Sequence, residues 1–313
     1  YDLKGPSLTL DTACSSSLVA LERATRDLQS GLIDRAIVGG ISVTLNPHKN
    51  ASFNAFTMLS PTGRCYSFDT RADGYCRSDG VNVVIVETNR AERSCYARIE
   101  GIGINSDGFT PQGITYPCGE MQAELMEDVF QNCSKKPEDV KYHEAHGTGT
   151  IAGDREELIA LGKIYKTSMS IGSVKSNMGH AEGASGLMGI IKILLMFEDQ
   201  QIYPNYNFVD SPHEPIKNGH FQVLKEATEW VPGPASISNF GFGGTNAFAV
   251  VSPGGKCFTN NSNIGLTNAK NYGFSSFAES DAVSEYGTFY AVQRSLGNHL
   301  SFKYECAKNT WKK

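Results

Sequence analysis

Cys14 lies in Asp11-Thr12-Ala13-Cys14-Ser15-Ser16-Ser17, just before a run whose apolar residues recur at helical spacing, Leu18-Val19-Ala20-Leu21 through Leu28. A thiol at a helix start meets unpaired N–H groups and the positive end of the helix dipole. Both favour the thiolate, the nucleophilic form. Two histidines have a comparable setting. His146 follows an apolar run and precedes Gly147-Thr148-Gly149-Thr150, a loop whose glycines let the backbone approach a ligand closely. His180 lies in Lys175-Ser176-Asn177-Met178-Gly179-His180, ahead of a long apolar segment. Taken singly, each has a plain alternative: a buried structural thiol for Cys14, a hydrogen-bonded packing role for either histidine. His48, His143, His213, His220 and His299 lack the glycine context, and for them the plain reading holds.

The elements that must position these groups read as an α/β fold. Pro6–Leu10 is expected as a short strand, with the Cys14 helix ending at Ser30-Gly31. Strands follow at Arg35–Gly40, at Val81–Glu87 (β-branched and expected to be buried on both faces) and at Ala97–Asn105. Glu120–Phe130 is an amphipathic helix carrying Met121, Leu125, Met126 and Val129 on one side. Val140–Glu144 and Met169–Gly172 are strands, and Arg155–Ile164 and Ser185–Glu198 are helices. Ala235–Asn239 and Ala247–Val251 flank a glycine turn. The stretch 253–313 is rich in Asn, Ser and Gly and is expected to be a linker or poorly ordered tail, with a short helix near Tyr290–Leu296.

Composition narrows the function. The chain has 313 residues, 40% hydrophobic and 19% charged, with a net charge of −5 and no long basic run, so nucleic acid is not an expected partner. The apolar stretch Leu187–Phe197 contains Lys192 and is too short to span a bilayer. The eight cysteines form no CxxC pair, so neither a zinc site nor a tight disulfide framework is expected, and a reducing cytoplasm is the simplest compartment. His143-Glu144-Ala145-His146 has the wrong spacing for a zinc-protease helix. Gly241-Phe242-Gly243-Gly244-Thr245-Asn246 is not a dinucleotide fingerprint, because Asn stands in the last position. No metal is expected.

Four ordered motifs together resemble the β-ketoacyl synthase (ketosynthase) domain of animal-type fatty acid synthases and type I polyketide synthases. They are Asp11–Leu18, Glu144–Thr150, Lys175–His180 and Asn239–Asn246, with Asp73-Gly74-Tyr75-Cys76-Arg77 between the first two. Asp107-Gly108-Phe109 and Gln112-Gly113-Ile114-Thr115-Tyr116-Pro117 look closer to the fatty acid synthase branch. The resemblance covers about residues 1–252 and implies a thiolase-like αβαβα layered sandwich and a homodimer in the parent protein. It also implies decarboxylative condensation of an acyl-Cys14 thioester with a malonyl thioester, His146 and His180 stabilising the enolate. The peptide N–H groups of Cys14 and Phe242 would form an oxyanion hole. Lys175 would pair with Glu157 and hold the His180 loop, and Phe242 would gate the acyl pocket. The partner the resemblance implies is an acyl carrier protein, whose 4′-phosphopantetheine would carry both thioesters, and no further cofactor is expected.

The sequence departs from the family's pattern in places. Phe248 stands where a His is frequent, and Arg155 where a Pro is frequent, with Glu157 still in register. The first residues, Tyr1-Asp2-Leu3-Lys4, show neither an initiator Met nor a signal peptide, and only thirteen residues precede Cys14. The first α/β half is therefore expected to be incomplete, leaving apolar edges uncovered. A polyketide condensing domain, or a non-catalytic remnant acting as a binding or dimerisation module, remain as alternatives. A cysteine hydrolase would need an orienting carboxylate or Asn and a path for water, which two glycine-loop histidines fit less well.

Overall fold

The computed structural model describes residues 2–88, 95–254 and the backbone of 287–291. In chain order the elements are α1 (Ser16–Gln29), β1 (Arg35–Ser42), α2 (Pro47–Ala55), β2 (Gly80–Thr88), β3 (Ala97–Ser106) and α3 (Gly119–Gln131). Then come β4 (Tyr142–Glu144), α4 (Ile151–Ile164), β5 (Met169–Gly172), α5 (Lys175–Met178) and α6 (Ser185–Asp199). The chain continues through β6 (Gln201–Ile202), α7 (Glu214–Lys217), β7 (Phe221–Val223), β8 (Thr228–Glu229), β9 (Ala235–Phe240), β10 (Thr245–Pro253) and β11 (Gly287–Ala291).

Nine strands form one mixed sheet in the order β1-β2-β11-β3-β10-β9-β4-β5-β7, and β6 pairs separately with β8. From β9 through β7 the pairings are parallel, and from β1 through β9 they are antiparallel. Parallel strands need cover on both faces, and β9 is buried along its whole length. Alternation along β10 divides the core. Ala247, Ala249 and Val251 join the cluster built on α1 and α6, whereas Phe248 and Val250 join the one built on α3 and α4. The His-to-Phe departure at Phe248 is thus a core position, its ring 5.7 Å from that of Phe130.

Helices α1 and α6 meet closely because Gly186 has no side chain. A Cβ there would lie 2.8 Å from the Leu18 Cβ and 2.6 Å from the Asn239 Oδ1. That approach sets the start of α6 against the start of α1, where Cys14 sits. On the other side of β1, Ile37 and Ile41 are exposed. The expected layered α/β arrangement is present, with α1 and α6 on one side of the sheet and α3 and α4 on the other.

Four local expectations change. Residues 6–10 form no strand, since no neighbouring strand among the described residues pairs with them. Helix α2 was not expected: it buries no residue and so leaves no apolar period to read. β2 alternates buried and half-buried positions instead of being buried on both faces. Within 253–313, Gly287–Ala291 is a strand between β2 and β3, so Tyr290 and Ala291 are not helical. The rest of that stretch after Gly254 lies outside the described residues. No helix among the described residues is long and apolar enough to cross a membrane.

Candidate active site

The Cys14 turn is built by short polar side chains. Asp11 Oδ1 accepts the N–H of Ala13 at 3.0 Å, and Ser16 Oγ receives the N–H of Thr12 at 2.9 Å while donating to the carbonyl of Ala13. These bonds hold Ala13 at φ +56°, a left-handed conformation unusual for a residue with a Cβ. The turn delivers the buried Cys14 two residues ahead of α1. Gly241 packs against the same turn, where a Cβ would lie 2.3 Å from the carbonyl oxygen of Thr12. That close approach brings the N–H of Phe242 to the Cys14 sulfur, which also receives its own N–H. The two donors expected of an oxyanion hole therefore converge on the thiol.

The charge state differs from expectation. Burial and then the Glu182 carboxylate push the Cys14 thiol up to about 12, against the opposing pull of Lys175 and the two N–H groups. At neutral pH the resting group is a thiol, because desolvation outweighs the helix-start contribution.

The two histidines are held alike. The loop after β4 presents His146, whose Nδ1 accepts from Asn239 Nδ2 at 3.1 Å and from the Phe240 N–H at 3.4 Å. His180 Nδ1 accepts the N–H of Glu182 at 3.1 Å. A backbone N–H can only donate, so in both rings Nδ1 is the acceptor and the proton sits on Nε2. The rings meet edge to face at 5.5 Å. His180 Nε2 is buried and has no hydrogen-bond partner among the described residues. Burial, followed by the charge of Lys175, holds both imidazoles well below their ordinary range, so they are neutral donors.

Lys175 and Glu157 are both buried, but the expected ion pair does not form at contact distance among the described residues. Glu157 instead spends its two oxygens on the N–H groups of His146 (2.7 Å) and Gly147 (2.8 Å). Burial lowers the Lys175 ammonium, and Glu144 and then Glu157 act on it as charges in the opposite sense. Phe242 is partly exposed, its ring edge-on to Phe53 of α2 at 5.9 Å. His143 is hydrogen-bonded by Ser236 and Ser238 in the core, as the plain reading has it.

Three contributors were not singled out from the sequence. Asn239 Nδ2 joins His146 to Ser185 Oγ (3.1 Å), and Ser185 Oγ in turn donates to the Cys14 carbonyl (3.1 Å). Tyr75 lays its ring 4.9 Å from that of His180. Arg77 pairs with Glu182 at 2.9 Å. All three lie inside quoted motifs or adjoin them, which was the available signal.

Cys14, His180 and Glu182 offer a sulfur, a nitrogen and an oxygen within 4.8 Å of one another, the one group of metal-ligand types among the described residues. A metal at His180 Nε2 would need that nitrogen deprotonated, whereas the Glu182 N–H at Nδ1 keeps the proton there. With its proton on Nε2, His180 is a donor to an anionic oxygen.

Comparison with known proteins agrees with the geometry. "Beta-ketoacyl synthase, N-terminal domain" matches residues 1–91, and "Beta-ketoacyl synthase, C-terminal domain" matches residues 96–209. The chain is 42% identical over 265 residues to a highly reducing polyketide synthase of Talaromyces stipitatus, covering 80% of this chain and 10% of that one. It is 46% identical over 202 residues to a fatty acid synthase of Anser anser anser, covering 63% of this chain and 57% of the relative. Among solved structures, the ketosynthase from module 6 of the bacillaene synthase of Bacillus subtilis 168 superposes with a TM-score of 0.76 at 38% identity, covering 80% of this chain and 48% of the other. The chain thus spans about a tenth of the curated polyketide synthases it matches and about half of the solved ketosynthase.

Proposed function

The chain belongs to the β-ketoacyl synthase family, and from that premise we propose that residues 1–252 condense an acyl thioester with a malonyl thioester, both delivered by an acyl carrier protein. The observation that carries this reading is the pair of imidazoles, each taking a backbone N–H on Nδ1 and so keeping its proton on Nε2, with the rings edge to face at 5.5 Å and His180 grouped with Cys14.

In the first half-reaction the Cys14 sulfur bonds to the acyl carbon. The carrier's C–S bond breaks, and the Cys14 proton leaves with the departing pantetheine thiol. The N–H groups of Cys14 and Phe242 stabilise the tetrahedral oxyanion. In the second, the malonyl carbonyl oxygen accepts from His146 and His180 Nε2–H. The bond to the carboxylate breaks, CO2 leaves, and its electron pair becomes the enolate. Neutral donors stabilise this developing charge, because a hydrogen bond strengthens as its acceptor turns anionic. The enolate carbon then attacks the acyl carbon. The bond to Cys14 breaks with its electron pair on sulfur, the thiolate takes a proton from solvent to restore the thiol, and a 3-ketoacyl thioester leaves the site.

We assign the reaction to fatty acid synthesis in the cytoplasm, by the Asp107–Phe109 and Gln112–Pro117 segments. The cysteines form no CxxC pair, which suits a reducing compartment. A polyketide product is the second reading, favoured by the number of polyketide synthases among the relatives. The parent protein is proposed to act as a homodimer.

The test is intact-protein mass after incubation with a short acyl thioester, with circular dichroism to confirm folding. One adduct on the wild type, absent from Cys14→Ala, is expected. A folded wild type with no adduct would overturn the proposal.

A further inference from the structure

Glu182 is not a participant in the condensation, yet it touches both halves of the site. It stands on the short turn between His180 and α6, held at φ +46°. Oε2 lies 3.9 Å from the Cys14 sulfur and accepts its S–H. Oε1 receives Arg77 Nε at 2.9 Å, and the peptide N–H donates to His180 Nδ1. Arg77 is itself fixed, bonded to Asn50 Oδ1 and lying 5.4 Å above the Phe53 ring.

A purely structural role would make the Arg77–Glu182 pair a tie between the Arg77 segment and the His180 loop. The backbone already makes that tie: His180 N–H donates to the Cys76 carbonyl at 2.7 Å, and Ser78 N–H donates to the His180 carbonyl at 2.8 Å. The ion pair adds something the backbone does not supply, a negative charge beside the sulfur, partly neutralised from behind. The other groups facing Cys14 are Lys175, the neutral rings of His146 and His180, the Phe242 N–H and the phenol of Tyr75. Of these only Lys175 is cationic, and it draws the thiol toward ionisation.

We propose that Glu182, held by Arg77, is a positioning residue that keeps Cys14 protonated in the empty site, so that the sulfur gives up its proton only when a thioester arrives to accept it as a leaving thiol. The assignment rests on the reading of Cys14 as the nucleophile. Its consequence is a nucleophile sheltered from stray electrophiles and oxidants, which react with the thiolate.

The test measures the rate of Cys14 alkylation by iodoacetamide at fixed pH 8.5 on the full chain, followed by peptide mass. Removing the charge in Glu182→Gln lowers the barrier to ionisation, and a shift of about one pH unit gives about tenfold faster alkylation. Arg77→Gln leaves the carboxylate unneutralised and slows alkylation by about as much, while Arg77→Lys keeps close to the wild-type rate. A structural tie predicts the opposite pattern, since either Gln variant breaks the same pair and both then change in the same direction. Equal rates, or changes of the same sign, overturn the proposal, and if Glu182→Gln does not fold, Arg77→Gln decides by its direction alone. Unchanged rates with the acyl adduct intact overturn the Glu182 assignment alone. Loss of the wild-type acyl adduct with the opposed rate changes kept overturns the nucleophile reading alone.

Discussion

The Glu157 carboxylate on α4 accepts the peptide N–H of His146 at 2.7 Å, and its second oxygen takes Gly147 at 2.8 Å. Asp154, a turn earlier on the same helix, does likewise for Phe68 and Gly149. Helix α4 thus grips the histidine loop by its backbone. Glu157→Gln turns one acceptor into an NH2 group facing an N–H. A charge-assisted bond to a buried donor is worth about 1.5–3 kcal/mol, so thermal denaturation is expected to show a loss of that size. CO2 release from malonyl thioester should fall more than acylation of Cys14, because the grip is on the His146 side. Equal losses in both half-reactions would contradict this.

Gly241→Ala should cripple Cys14 without touching it. The new methyl would collide with the Thr12 carbonyl, and overpacking of this kind costs about 1–3 kcal/mol. Gly243→Ala, two residues on, meets nothing within 4 Å and serves as the control. Acyl-adduct mass is expected to disappear in the first and persist in the second.

The histidines set a pH signature. His146 and His180 are neutral well below pH 6.5 in the folded chain, through burial and the charge of Lys175. The unfolded chain takes up protons near 6.5, so their contribution to stability is present above that pH and is lost as pH falls below it. Asp154 runs the other way. Its carboxyl is pushed up to about 7, mainly by burial, so its contribution is fully present below about 3.8 and is lost as pH rises through 7. Urea midpoints from pH 7.5 to 5 should therefore fall less in His146→Gln/His180→Gln than in the wild type. Parallel curves would refute the assignment of neutral imidazoles.

A buried pair beneath the site should dominate its stability. Glu144 Oε2 accepts from Lys192 Nζ and the Tyr142 hydroxyl, both at 2.7 Å, and Oε1 accepts the Val174 N–H at 2.6 Å. Lys192→Met strands the carboxylate, at a cost of about 3–5 kcal/mol. Breaking the half-exposed pair Arg23–Asp27 on α1 should cost at most about 1 kcal/mol. Chemical denaturation of the two variants compares them directly, and similar losses would be the contrary result.

What the sequence made legible was whatever is written locally. Helices α1 and α6 announced themselves by apolar period, β3 by its run, and Cys14, His146 and His180 by their turns and glycines. Helix α2 carried only an Asn46 cap and Pro47 at its first turn, with no buried face to generate a period. The ionisation of Cys14 was misread because the helix start lies in the adjoining residues, whereas the burial and the carboxylate that outweigh it come from far along the chain, Glu182 being 168 residues away. Glu157 is expected from the sequence to pair with Lys175, whereas its oxygens take the N–H groups of His146 and Gly147. Sequence spacing shows that a carboxylate is near a loop, and only the fold shows that the loop's N–H groups reach it first.

The strand order carries a consequence for the timing of synthesis. β10 and β9 fill the place between β3 and β4, although β10 ends at Pro253, long after β3 is complete at Ser106. At ribosomal rates the intervening segment takes roughly 7–30 s to emerge. Throughout that interval the nascent sheet is two unjoined pieces with open hydrogen-bonding edges, and the catalytic groups have no common framework. Cys14 is made before β1, and the Phe242 turn that completes its surroundings follows only after β9. Until that turn is made the nucleophile lacks its cover, which makes this interval the one in which a holding chaperone has most to protect.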